Sequence, residues 1–148
     1  KKSLQNQGVK QIDVAKFDGA SIENPKKYCI LLGVWDDLVE NSNVGGKNLL
    51  EDINKKNKLI GVNSKFEDGK VHALDFKGKT VTSYAEGGAI FAYAAGIGST
   101  KPIWVVTGTN DSGFKMAYNL LLNETGKIKD CFGVVVSKNG VEKVPYLK

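Results

Sequence analysis

Arginine is missing from this chain altogether: all 21 Lys+Arg residues are lysines. Arginine makes the commonest specific contact to guanine and the best two-pronged grip on phosphate. Its absence argues against nucleic acid, in spite of a net charge of +5 and an isoelectric point near 9.1. Lysine can neutralise phosphates where it clusters. Here Lys47, Lys55, Lys56 and Lys70 stand among Glu51, Asp52, Glu67 and Asp68. The charge reads as an evenly solvated surface. Histidine is nearly absent too, so nucleophilic catalysis has a single imidazole to draw on, His72, which reads as a solvent-facing hairpin residue. The motifs H-E-x-x-H, C-x-x-C and G-x-S-x-G do not occur, which removes the common zinc and hydrolase signatures. No apolar run approaches the roughly 20 residues that cross a bilayer. Residues 1–27 hold no signal-peptide core.

What is present is an ordinary globular composition, 41% hydrophobic and 25% charged over 148 residues, which is one domain's worth of chain. Residues 1–27 read as a polar leading arm or linker and 28–148 as a single domain. The first residue is Lys1, as expected of a processed chain or an excised domain. Tyr28–Val34 is a continuous apolar run, the pattern of a strand buried on both faces. A helix is expected at about 46–57, a short strand at 58–62, and a hairpin from 71–76 and 80–84 around Lys77-Gly78-Lys79. The small residues of 86–97 read as a tightly packed helix, ended by Gly96 and Gly98. Ile103–Thr107 is the clearest strand. Phe114, Ala117, Tyr118 and Leu121 give a helix of clean periodicity. Cys131–Val136 is a last buried strand, and Asn139-Gly140 turns the chain back through 141–144. Strands alternating with helices imply an α/β fold: a mostly parallel, Rossmann-like sheet flanked by helices, with antiparallel hairpins at its edges.

In such a sheet ligands bind beyond the carboxyl ends of the strands. Two turns qualify, 33–37 and 107–113. If their strands are neighbours, Asp36, Asp37, Thr109, Asn110, Asp111 and Ser112 converge. Asp36, Asp37 and Asp111 are then the oxygen ligands a hard cation prefers. The competing reading makes Asp111 or Ser112 a helix cap and Asp36 and Asp37 turn residues. The second turn is neither of the glycine-rich phosphate motifs, and Asp111 would repel a phosphate. No cofactor is expected. Trp35, beside the acidic turn, could stack on a ring, or it and Trp104 are buried anchors. Cys29 and Cys131 begin two apolar runs. They are bridged if those strands are neighbours, or else are two small buried hydrophobes. Two N-x-[ST] sequons occur, at Asn110 and Asn123, and Asn123 is the accessible one, near a helix end.

The strand ending in Leu32-Gly33, and the later segment K-P-I-W-V-V-T-G-T-N-D-S-G-F-K-M-A-Y-N-L-L-L-N (Lys101–Asn123), resemble α/β domains of archaeal S-layer and S-layer-like cell-surface proteins. The resemblance spans about 28–137. Those domains commonly carry Gly-Gly-Pro after the first strand, where this chain has Gly33-Val34-Trp35. The resemblance implies a non-enzymatic structural or interaction domain, outside the cell or on its surface. Its partners would be other protein domains or copies of itself, with no nucleic acid and no membrane span in this chain. The alternative is a small-molecule or divalent-cation-binding domain using the two turns.

Overall fold

In order along the chain lie α1 (Lys2–Asn6), α2 (Ala20–Glu23), β1 (Cys29–Val34), α3 (Trp35–Glu40), β2 (Asn43–Val44), β3 (Lys47–Asn48) and α4 (Leu49–Lys55). They are followed by β4 (Ser64–Glu67), β5 (Lys70–Leu74), β6 (Thr80–Tyr84), β7 (Gly87–Tyr93), β8 (Ile103–Gly108) and α5 (Asp111–Asn123). A 3-10 turn at Thr125–Ile128 leads to β9 (Gly133–Ser137) and β10 (Gly140–Val144). The computed structural model describes the whole chain except residues 7, 24–26, 58–59, 95–100 and 147–148.

The described strands form a five-stranded sheet in the order β1-β8-β7-β9-β10, a two-stranded ribbon β2-β3, and a three-stranded sheet β4-β5-β6. This is not the mostly parallel, Rossmann-like sheet expected. Only β1 and β8 run parallel; β7 is antiparallel to both β8 and β9, and β9 to β10. The fold is mostly β around a mixed sheet. One face carries Leu31, Phe91, Val105 and Val135, packed with Trp35 and Leu38 of α3, Leu50 of α4 and Val71 of the smaller sheet. The other carries Ile90, Val106 and Val134 under Ala117 and Leu120 of α5.

The correction turns on residues 86–97, expected as a helix. Gly87–Tyr93 is a central strand, and residues 95–97, with Gly96 and Gly98, lie outside the described residues. The small residues do serve close packing, but of a strand against a helix. A Cβ on Gly88 would stand 2.8 Å from the Ala117 Cβ, and one on Gly113 would stand 2.1 Å from the Gly87 carbonyl oxygen. Two successive glycines also disfavour a helix interior. With β7 a strand, the connection from β7 to β8 joins antiparallel neighbours rather than crossing over.

β1 keeps its expected place in sequence but not its expected burial. It is an outer strand: Leu31 is buried, whereas Ile30 and Leu32, on the α5 face, are 40% and 47% exposed. Of the strand expected at 58–62, residues 58–59 lie outside the described residues, and Ile60–Gly61 is a turn. β4 was not expected. It joins β5 through Asp68-Gly69, where φ is positive at both residues (52° and 69°), the two-residue turn that suits strand twist. At the next hairpin Asp75 Oδ1 accepts from the backbone N–H groups of Lys77 and Lys79, both at 2.9 Å.

Within the leading segment Phe17 packs against the core. Ile22 is buried in the core and Gly19 N–H donates to the Asn41 carbonyl. At the far side Tyr84 donates its hydroxyl hydrogen to Glu142, tying the smaller sheet to β10. Burial, then the neighbouring Glu142 carboxylate, push the Tyr146 hydroxyl up to about 12. Among the described residues no helix is long and apolar enough to cross a membrane.

Candidate functional site

Because β1 and β8 pair in parallel, with Gly33 opposite Thr107 and Val34 opposite Gly108, the two expected turns do lie side by side. β1 passes straight into α3, and β8 reaches α5 through Thr109 and Asn110. Asp36 and Asp37 occupy the first turn of α3, where negative charge complements the helix dipole, and both are exposed. Asp111 opens α5 and is likewise exposed.

The other three residues of the expected site hold the β8–α5 turn in place. Asn110 caps α5: its Oδ1 accepts from Gly113 N–H at 2.8 Å. Its Nδ2 donates to Glu86 at 3.3 Å, and the Ser112 hydroxyl donates to the same carboxylate at 3.1 Å. Thr109 accepts from Gly87 N–H and donates to the Gly87 carbonyl, at 3.2 and 3.3 Å. Glu86 was missed from the sequence. Reading 87–93 as a strand beside β8 would have set it next to this turn.

Between the turns and the β4–β5 hairpin lies an open cleft of about 120 Å³, lined by Trp35, Asp36, Thr109, Glu67, Asp68 and Lys70 among others. Trp35 is no free platform for a ring. It is 8% exposed and stacks on Phe66, centroids 4.6 Å apart and planes 9° from parallel. Trp104 is 43% exposed, so of the two tryptophans one is an anchor and the other a surface residue. Among the described residues no three His, Cys, Asp or Glu side chains group as metal ligands, so Asp36, Asp37 and Asp111 do not form such a set.

His72 has company the sequence did not reveal. Ser83, directly across on β6, lies 2.7 Å from Nδ1, and the Glu67 carbonyl lies 3.2 Å from Nε2. The carbonyl can only accept, so it selects the Nε2–H tautomer and leaves Nδ1 to receive the Ser83 hydroxyl hydrogen. Acyl transfer also needs oxyanion donors and an enclosed site. Ser83 is exposed, and neither residue lines the cleft. The pair therefore reads as a cross-strand contact.

The condition for a bridge between Cys29 and Cys131, neighbouring strands, is not met. β8 and β7 stand between β1, which Cys29 begins, and β9, which Cys131 precedes by two residues. Both thiols are free, donating to the carbonyls of Lys27 and Ile128. Asn123 ends α5, exposed, with its Nδ2 donating to Asn119 Oδ1 at 2.7 Å. No protein-family model and no curated protein matches this sequence.

Proposed function

We propose that this chain is a non-enzymatic, S-layer-like structural or interaction domain of the cell surface, working by packing against other protein domains or copies of itself. The observation that carries this reading is an apolar stripe left uncovered at a sheet edge. Ile30 and Leu32 of β1 and Trp104 of β8 share the α5 face, Ile30 and Trp104 as register partners, and all three are exposed. Scattered apolar surface residues are normal, but a row along an outer strand marks a contact site. The polar groups of the β8–α5 turn, by contrast, already have partners within the fold. Sedimentation velocity over rising protein concentration is expected to show reversible association. A monomer at every concentration, with no partner protein retained, would count against the reading.

A second reading rests on the two turns being neighbours over the cleft: a small-molecule site formed by 33–37 and 107–113. A thermal-shift screen with nucleotides separates the two, since a ligand at 100 times its Kd stabilises by about 2.7 kcal/mol. A rise of several degrees with one ligand selects this second reading.

A surface location makes Asn123 the glycan acceptor of the two sequons. Both are exposed, but Asn110 caps α5 and also donates to Glu86, whereas Asn123 makes one side-chain contact, to Asn119 at the end of α5. Intact mass of the protein from its native source is expected to show the glycan removed by Asn123→Gln and unaffected by Asn110→Gln. A glycan on Asn110 alone would overturn the assignment.

A further inference from the structure

We propose that two copies of this chain join through β1, running antiparallel, so that the five-stranded sheet continues from one molecule into the next. This rests on the packing role above and names its surface. β8 holds one side of β1, and among the described residues no backbone hydrogen bond reaches the other side. The strand is C-I-L-L-G-V, without the charge or proline that usually blunts an outer edge.

Symmetry restricts the register. A two-fold axis that joins two such edges stands perpendicular to the sheet, so each residue meets a partner residue pointing to the same face. With Leu31 opposite the partner's Leu31, Ile30 meets the partner's Leu32 and Leu32 meets the partner's Ile30. The buried face of β1 stays buried. The exposed pair on the α5 face becomes two apolar cross-strand contacts, extended by Trp104 on β8.

Charge selects a second copy in this orientation. Lys27 precedes β1, and Asp36 and Asp37 follow it. Antiparallel pairing sets Lys27 beside the partner's Asp36 and the partner's Asp37, once at each end of the joined strands. Parallel pairing would set like charges together. Lys27 already meets Asp13 at 2.8 Å, an exposed pair that leaves ammonium hydrogens for a second carboxylate.

The test is sedimentation velocity of the full chain from roughly 10 µM to 1 mM, the range expected of a small interface. Wild type is expected to dimerise reversibly, and Ile30→Lys to remain monomeric with an unchanged circular dichroism spectrum. Lys27→Asp alone, and Asp36→Lys with Asp37→Lys, are each expected to weaken association about tenfold. An equimolar mixture of the two is expected to restore it, and these exposed positions keep the test valid if Ile30→Lys fails to fold. Wild-type association that survives Ile30→Lys and both charge variants overturns the β1 interface while leaving the packing role standing. A wild type that stays monomeric overturns the interface, and the self-association part of the role with it.

Discussion

Gly113→Ala is expected to destabilise the fold by about 3 kcal/mol, although alanine is the better helix former by roughly 1 kcal/mol. The added Cβ would stand 2.1 Å from the Gly87 carbonyl oxygen and 2.7 Å from its carbon. Those are backbone atoms of the central strand β7, not the yielding end of a side chain. Relief therefore requires α5 to lift off the sheet. Gly108 meets the helix from the other side, with the Phe114 nitrogen 2.1 Å from its would-be Cβ. The two glycines together bring the helix this close. At this chain length such a loss lowers the melting temperature by about 6–12 °C. Gly126→Ala is the control, because a Cβ there meets nothing within 4 Å. Equal melting temperatures for the two variants would show that the helix–sheet contact is looser than described.

Trp35→Ala is expected to cost about 3–5 kcal/mol, the range for removing a buried large aromatic. Trp35 opens α3, and its indole stacks on Phe66 of the smaller sheet within the core that both share. A tryptophan placed to hold a ligand would behave oppositely, since its loss would spare stability and remove binding. Urea unfolding should show a lower midpoint with an unchanged slope. The fluorescence of the variant should come from the exposed Trp104 alone, at the longer wavelength of a wet indole. A midpoint within experimental error of wild type would return Trp35 to the list of ligand contacts.

The parts of this fold legible in the sequence are those whose signal is local. The Phe114–Leu121 spacing announces α5, although its cap is Asn110 rather than the expected Asp111 or Ser112, and Lys77-Gly78-Lys79 announces a turn. The pairing of β1 with β8 was a condition posed from the sequence, and the structure meets it. Two features were not legible because they depend on partners distant in the chain. In 87–93 the glycines and alanines are consistent with a packed helix, and only the approach of α5 shows why a strand needs them small. In β1 an unbroken apolar run looks buried on both sides, yet half of it faces outward at the edge of the sheet. The misreading of β1 is informative, since a strand that looks like an interior one, placed at an edge, has apolar surface left over.

The most direct test of the account is amide hydrogen exchange along β1, comparing dilute with concentrated protein. The β1 amides not bonded to β8 are expected to exchange rapidly when dilute and to become protected as concentration rises. In Ile30→Lys they should exchange rapidly at both concentrations. Protection of those amides that is the same at every concentration would contradict the β1 interface.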